Sequence, residues 1–530
     1  MFIKLTKTKN YQYVQLVQSY RENGVVKHKV LFNLGRLDEI ENNPSFQRLG
    51  KRLLELSKAR EVSSLANFSE AQIKNWGYVV YQKIWNQFDL PNLLRKISAQ
   101  RKVQFDLNNA AFLMAVQHLL EPRSKLGTYT HQHRYASLPN VSLNHLYRSL
   151  DLLWEHKELL EVEIFKKNHH LFNMQVDVVF YDVTTFSFAS VEADSLRNFG
   201  FSKDGKFNEV QVVLGLLIDC EGRPIGYELF PGNTFDGKTL EKALVKLEER
   251  FGLRRVIIVA DRGINSKLNL KRIVDRGYSY IFAARIKNMK KEITDEILSE
   301  NGYQEINDGE EVIRYKVIEY LNEFTAEGQK YQLPEKLIVT YSSRRAEKDR
   351  ADRERLIAKA QNLLESKAKI QASNKRGGKK YLKEIDCTGT WILDEEAIAR
   401  EEQFDGYYGI QTSEKEMSAR DILAAYHNLW RIEESFRVMK STLEVRPVFH
   451  WTERRIKGHF VICFLAFLLE RTLEFKLRQA GENASPEAIR EALNSLNFAE
   501  VEIGGNAYFI KTQSMELSKK ILRLMRIAPP

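Results

Sequence analysis

Two stretches of this chain are apolar at nearly every position and rich in β-branched and aromatic residues, which predicts buried strands: QVDVVFYDVTTFSF at 175–188 and RVIIVAD at 255–261. Each carries one carboxylate that the pattern does not call for. Asp182 falls inside the first run, and Asp261 ends the second, just before a turn at Gly263 and the amphipathic helix NSKLNLKRIVDRG. Between them, EVQVVLGLLIDCEGRPIGYELFPGN reads as two strands joined by a turn from Asp219 to Pro224, followed by the helix TLEKALVKLEERF. A further strand, YSYIFAARI, follows the Asp261 helix. The order is three antiparallel strands and then alternating helices and strands. In open α/β sheets, sites gather at the carboxyl ends of strands. Taken singly, Asp261 reads equally well as a turn residue or helix cap, and Asp182 as a satisfied polar group at a sheet edge.

A second pattern is helical. SARDILAAYHNLWRIEESFRVMKSTL, from Ser418 to Leu443, predicts one long helix opened by Ser418 with Asp421 three residues on, close to a capping box. Ile422, Tyr426, Leu429, Glu433, Phe436 and Lys440 recur at steps of three and four and so share one stripe. Glu433 would then point where apolar residues point, which is costly unless the carboxylate is neutralised, paired or bound to a metal. The alternative is an i,i+4 ion pair with Arg437, which makes Glu433 an ordinary boundary residue.

Elsewhere the chain begins with alternating strands, YVQLVQSY and VVKHKVLFNLG, and becomes helical before residue 70. From 71 to 168 it is mainly helical, including NNAAFLMAVQHLLEP and NHLYRSLDLLWEHKELL. The 172 positions from Asp261 to Glu433 are too many for a connection without structure of its own. VIRYKVIEYL and KLIVTYS predict strands there, and 344–372 a charged helix. FVICFLAFLLE at 460–470 is too short to span a bilayer and ends in charge, so it reads as a buried helix behind the site. The last segment, from 481, predicts helices and a VEIGGNAYFIKT hairpin.

Charge modifies this picture modestly. Lys and Arg number 81 against 70 acids, a formal charge of +11, which favours phosphate-bearing partners. KNMKKE, SNKRGGKKYLKE and WTERRIKGH are candidate backbone-tracking stretches, although each alone reads as solvated surface. Trp430 and Trp451 are candidates for stacking on bases, with core packing the commoner role of such residues. Cys220, Cys387 and Cys463 are isolated, fitting a reducing interior, and no secretory signal is evident at the start. No zinc, phosphate-loop or serine-nucleophile motif is present, and His131, His133, His169 and His170 read as ordinary surface or packing residues. Three carboxylates from two strands and a helix suit hard divalent ions. Two such ions roughly 3.5 to 4 Å apart activate an oxygen nucleophile and stabilise the leaving oxyanion in phosphodiester cleavage.

These residues resemble bacterial insertion-sequence transposases of the DDE class, in the group marked by a Y-x2-R-x3-E-x6-K signature. Tyr426, Glu433 and Lys440 match at the right spacing, with Leu429 where that signature has arginine. Arg431 and Arg437 are neighbouring candidates for the missing cation. The resemblance extends to RPVFHWTERRIKGHF, FPGNTFDGKTL and YVQLVQSYRENGVVKHKVLFNLGRL, and is weakest from 286 to 400.

The resemblance implies an α/β fold: an RNase H-like catalytic core with a mixed five-stranded sheet and helices, interrupted by a β-containing insertion and preceded by a mainly helical DNA-binding region. The expected segments are 1–70 strand-rich, 71–168 DNA-binding, 169–285 and 404–480 the two parts of the core, 286–403 the insertion, and 481–530 a C-terminal region. It also implies catalysis and metal binding by Asp182, Asp261 and Glu433 with two Mg²⁺ ions, for which Mn²⁺ can substitute. DNA contacts are expected from Tyr426, Lys440, Arg431, Arg437 and Trp430. The implied partners are the element's inverted ends and target DNA, with a dimer in the synaptic complex, no membrane, and a cytoplasmic, nucleoid-associated location. Two other readings of the same residues are a structure-selective RNase H-like nuclease and a transposase-derived regulator without catalysis.

Overall fold

The structure is a computed structural model. It describes residues 1–529 other than 9–10, 42, 58–71, 102, 173–177, 203–204, 207, 252–255, 309–310, 367–369, 371–376, 386–389, 446–447, 449 and 504–505. Cys387, the first four residues of the SNKRGGKKYLKE stretch and part of RPVFHW lie outside the described residues. The chain forms two compact units: Met1–Gln72 with Val501–Asn506, and Ile73–Glu500 with Ala507–Pro530.

In the smaller unit, β1 (Phe2–Thr8), β2 (Tyr11–Glu22) and β3 (Val25–Arg36) form an antiparallel meander. Asn23 and Gly24 close the β2–β3 hairpin with φ of 51° and 80°. This is the two-residue turn whose twist matches the strands, and Asn-Gly is its preferred sequence because both positions need positive φ. Val14 and Val17 are buried, and helices Leu37–Glu41 and Pro44–Ser57 follow the strands.

The larger unit opens within β4 (Gln72–Asn75), at Ile73, and continues as a run of helices, among them Leu107–Leu120, Leu143–Glu155 and Lys157–Phe172. The NHLYRSLDLLWEHKELL stretch is helical as expected, divided into two helices at His156. Then come β5 (Val178–Ser187), β6 (Gln211–Asp219), β7 (Pro224–Pro231), β8 (Ile257–Ala260) and β9 (Ser279–Ala283). β5, β6 and β7 pair antiparallel in sequence, while β8 lies parallel to β5 on its other side and β9 parallel to β8. The order β7-β6-β5-β8-β9 is the mixed five-stranded core expected from the sequence.

The insertion is built onto that sheet. β10 (Gln304–Asp308), β11 (Glu311–Ala326) and β12 (Gln329–Tyr341) form a meander, and the charged helix is Ser343–Leu364. β13 (Leu382–Glu384) and β14 (Trp391–Leu393) pair with each other, and β15 (Tyr407–Thr412) then inserts between β9 and β12. One nine-stranded sheet results, in the order β10-β11-β12-β15-β9-β8-β5-β6-β7. Pairing of β9 with β15 covers an edge whose N–H and C=O groups would otherwise lie open. β16 (Asn497–Ile503) and β17 (Asn506–Lys511) form the expected C-terminal hairpin.

Alternation along the central strands sorts side chains into two cores. Val179, Tyr181, Val183, Ile258 and Ala260 pack with Leu240, Ala243, Leu270 and Ile273 of the helices that precede and follow β8. Phe180, Phe186, Ile257 and Val259 share the opposite core with Ile432, Phe436 and the helix Glu453–Gln479. This helix is the extended form of the apolar run read at 460–470. It is buried on nearly every side from Ile456 to Leu477 because it packs against the Leu107–Leu120 and Leu143–Glu155 helices and strand β7. Among the described residues no helix is long and apolar enough to cross a membrane.

Two features of the long helix yield tests. A Cβ on Gly458 would stand 2.2 Å from the Leu150 carbonyl oxygen, which is backbone and cannot swing aside. Gly458→Ala is expected to destabilise the fold by about 1–3 kcal/mol or more, measured as a lowered denaturant midpoint. Glu470, buried and accepting from Tyr81 Oη at 2.6 Å, has its pKa pushed up by burial and then by the Glu474 charge, with Tyr81, Arg471 and Arg490 opposing. The folded state therefore holds this proton after the unfolded chain has lost it. Stability from this group is complete below the unfolded value of about 4.3 and declines as pH rises through the folded one. Glu470→Gln should flatten that decline in thermal melts recorded from acid to mildly alkaline pH.

Candidate active site

The parallel register of β5 and β8 positions the first two carboxylates. Val178, Val179 and Phe180 lie opposite Ile257, Ile258 and Val259. Asp182 follows Phe180 by two residues along β5, and Asp261 follows Val259 by two, just past the end of β8, so both lie beyond the same end of this pairing. Asp182 follows the alternation of Phe180 along β5, so it belongs to the sheet face covered by the Trp430–Arg437 and Glu453–Gln479 helices. Asp182 is half-buried, and Val183 N–H donates to its Oδ1 at 2.7 Å. Asp261 is also half-buried, just past the end of β8, and Gly263 N–H donates to its Oδ1 at 2.7 Å. A Cβ on Gly263 would come within 3.0 Å of that same oxygen, so glycine lets the turn fold tightly back on the carboxylate.

The helix carrying Glu433 differs from the sequence expectation. Ser418 caps it as predicted, accepting from Asp421 N–H at 3.2 Å. The predicted single helix is instead Ala419–His427, a turn at Asn428–Leu429, helix Trp430–Arg437, and a π turn at Val438–Thr442. At the break, three-residue hydrogen bonds run from Leu429 N to Tyr426 O, Arg431 N to Asn428 O and Ile432 N to Leu429 O. Tightening there shifts the helical phase. The buried positions become Ile432, Ser435 and Phe436, and Glu433 is exposed rather than on the apolar stripe. Exposure is what the boundary-residue alternative expected, although Arg437 approaches Glu434 at 3.7 Å. Glu434 in turn reaches Arg471 of the long helix at 3.3 Å, and Arg471 donates to Ser435 Oγ at 3.1 Å, which ties the Trp430–Arg437 helix down.

This helix packs against β5, and the Ala419–His427 helix packs against β8 and β9. Glu433 therefore rides on the element covering the Asp182 strand. The three carboxylates occupy adjoining elements without all closing to a single ion's ligand spacing. Among the described residues, the trio of donor atoms within 4.8 Å of one another is His118, His459 and Cys463. A two-ion site does not require such closeness, since its ligands are shared over ions several ångströms apart. The oxygen-only donor set fits hard divalent cations.

Of the remaining predicted residues, Tyr426 feels the charge of Asp261. Its hydroxyl shares a 2.7 Å hydrogen bond with Tyr408 of β15. Its pKa is pushed up by burial, by Tyr408 and by the negative charge of Asp261, with Arg262 opposing. Lys440 Nζ stands 5.8 Å from the ring centroid of Phe186, four residues along β5 from Asp182. Trp430 and Trp451 are 44% and 69% exposed, against the packing role that aromatic spacing suggests. Arg431 turns toward the β6–β7 connection, its Nη1 donating to the Glu221 carbonyl at 3.5 Å, while Arg437 is largely exposed. Leu429 is buried, so the position where the signature has arginine belongs here to the core. Sequence reading missed Tyr408 and the Arg345 guanidinium 4.4 Å above its ring, as well as Arg197, which lies 5.8 Å from both Phe188 and Trp451. No spacing signal marks these residues, because pairing of β15 with β9 and packing of distant loops bring them in.

The chain was compared with known families and structures. Residues 3–65 match the IS1634 family transposase N-terminal domain, and residues 175–469, more than half of the chain, match the transposase DDE domain. No curated protein matches it. Among solved structures, a chain from the cryo-EM structure of a piggyBac transposase synaptic complex with hairpin DNA is 9% identical. That match covers 81% of this chain and 83% of the other, with a TM-score of 0.37. The DDE match spans both strands that carry Asp182 and Asp261, the insertion, Glu433 and the long helix behind them, and the chain belongs to the insertion-sequence transposases of the DDE domain family.

Proposed function

We propose that this DNA transposase binds the terminal inverted repeats of its own insertion sequence and moves it by Mg²⁺-dependent cleavage and strand transfer, with Asp182, Asp261 and Glu433 as the metal-holding residues. The observation that supports this reading is the parallel pairing of β5 with β8, which ends two residues before Asp182 and Asp261 alike, with the Glu433 helix packed on β5. Ions bound there would supply an activated oxygen nucleophile and shield charge on the leaving oxygen. The chain's own part is to hold the reacting phosphate in line. The two aspartates are set by buried strands and Glu433 by a helix pinned through Glu434 and Arg471. Hydrolysis frees a 3′-hydroxyl, which then attacks target DNA. One site serves both steps because each is an in-line displacement at phosphorus.

DNA would follow the exposed cations and aromatics around this face. Lys440 acts as a point charge on a terminal phosphate. Tyr426 is oriented by Tyr408, and Trp430 and Trp451 offer rings for base stacking. Arg437 is the exposed cation on the Glu433 helix, whereas the Arg431 contact with Glu221 gives it a positioning role in the protein. Joining two element ends calls for two copies of the chain in the synaptic complex, acting on nucleoid DNA in a bacterial cytoplasm.

The reading is tested with labelled DNA bearing the flanks of the gene, in Mg²⁺ or EDTA. Cleavage at the flanks should need the divalent ion and fall by more than about 100-fold in Asp182→Asn, Asp261→Asn and Glu433→Gln, exceeding the loss typical of a merely supporting residue. Binding to the ends, measured by gel shift, should persist in all three. Full cleavage by any of these variants would remove that position from the site, and end binding without cutting by the wild type would point to the regulator. Lys440→Ala should weaken end binding and lower the slope of log affinity against log salt by about 1. An unchanged slope would take Lys440 off the phosphate track.

A further inference from the structure

In the smaller unit, β1 pairs with β2 only from Tyr11 to Val17, so β2 and β3 run on past it as a bare two-stranded ribbon. Its cross-strand pairs are Gln18 with Lys29, Ser19 with His28, Tyr20 with Lys27, Arg21 with Val26 and Glu22 with Val25. At about 3.4 Å per residue the ribbon is roughly 17 Å long. Every residue from Gln18 to Val30 is exposed, so neither face covers a core. A two-stranded hairpin without a core is marginal in water. Here the Asn23–Gly24 turn holds its tip, Ser19 Oγ and His28 Nδ1 share a 3.1 Å hydrogen bond, and the Phe2 ring stands 5.4 Å from that of His28.

Alternation divides the ribbon into two faces. Gln18, Tyr20, Glu22, Val25, Lys27 and Lys29 share one, and Ser19, Arg21, Val26 and His28 the other. Lys27 meets Glu22, the ribbon's one acid, at 2.7 Å, which leaves Arg21 and Lys29 in positive excess. A face built to bury against another protein is depleted of charge at its centre, and this one is not. The major groove of B-DNA is the complement in both charge and shape: it is lined by phosphates and, at about 12 Å wide, admits a two-stranded ribbon. A ribbon of this length lies against about five base pairs. Its side chains also suit base edges, since glutamine pairs with adenine N6 and N7, lysine with guanine O6 and N7, and an apolar group such as Val25 with a thymine methyl.

On the reading that this transposase binds its own inverted repeats, we propose that the ribbon formed by Gln18–Glu22 and Val25–Lys29 enters the major groove of the element's ends and reads their sequence. Gln18 and Lys29 contact base edges. Arg21, on the other face, reaches a phosphate at the groove wall.

The test uses the full-length chain in EDTA, with fluorescent duplexes carrying either the gene's flanking end or the same bases scrambled, followed by anisotropy. The wild type should prefer its own end. Gln18→Ala and Lys29→Ala should each lower affinity for that end by about 10-fold or more. Gln18→Ala removes no charge, so the scrambled duplex should stay within about twofold. Arg21→Ala should weaken both duplexes alike and lower the slope of log affinity against log salt by about 1. All three positions are exposed, and an unchanged Tm separates these losses from misfolding. Own-end preference retained in full by both Gln18→Ala and Lys29→Ala overturns the ribbon's role and leaves end binding by the chain standing. A wild type that treats the two duplexes alike overturns both. Self-association in the absence of DNA that these substitutions abolish, with own-end preference intact, makes a second copy the occupant and likewise overturns the proposal.

Discussion

Parallel pairing of β5 with β8 is the constraint on which the rest of the site depends. A slip of one residue would turn every side chain of a strand to the other face. Here it would trade Phe180 and Asp182 for Tyr181 and Val183, burying a carboxylate among the helices Leu240–Phe251 and Lys267–Asp275. Both faces of these strands are filled with large apolar side chains, so the register that satisfies the two cores is also the one that sets Asp182 and Asp261 beyond the same end of the pairing. The placement of these two acids is therefore a by-product of core packing, which explains how they can be held firmly at a position that by itself favours water.

Charge burial is the second organising theme. Lys157 pairs with Glu161 at 2.9 Å and donates to Tyr227 O at 2.7 Å, while Arg250 meets Glu161 at 2.6 Å and Glu228 at 2.9 Å. These groups come from the helical region, β7 and the helix before β8. Such buried pairs add little net stability over apolar packing, but losing one partner strands the others without water. They thereby fix which helix meets which strand. Arg471 does the same beneath the Glu433 helix, joined to Glu474 at 2.6 Å and to Glu434 and Ser435.

The break at Asn428–Leu429 shows why Glu433 was harder to place than the aspartates. Helical periodicity extends unbroken only if every residue advances by the same angle, and three-residue hydrogen bonds followed by a π turn violate that on both sides of Glu433. Strand alternation has no comparable drift over the short distance from Phe180 to Asp182. A reading from spacing therefore set Glu433 on the apolar side of its helix, whereas the structure exposes it.

The sequence alone determined the order of elements, because buried strands and amphipathic helices carry local signals: the runs at 175–188 and 255–261, the Asp219–Pro224 turn and the apolar stretch at 460–470 all appear as elements. It also singled out Asp182, Asp261 and Glu433, as acids set against otherwise apolar patterns or at a matching spacing. Only the tertiary structure decided what the insertion does, since an antiparallel partner for β9 is chosen by an open edge and not by any residue within β15. It likewise decided that Tyr408 would meet Tyr426, that Trp430 and Trp451 would face solvent, and that His118 would lie beside His459 and Cys463. Those meetings join residues far apart in the chain, and local hydrophobic period carries no information about which distant surface a helix will bury against.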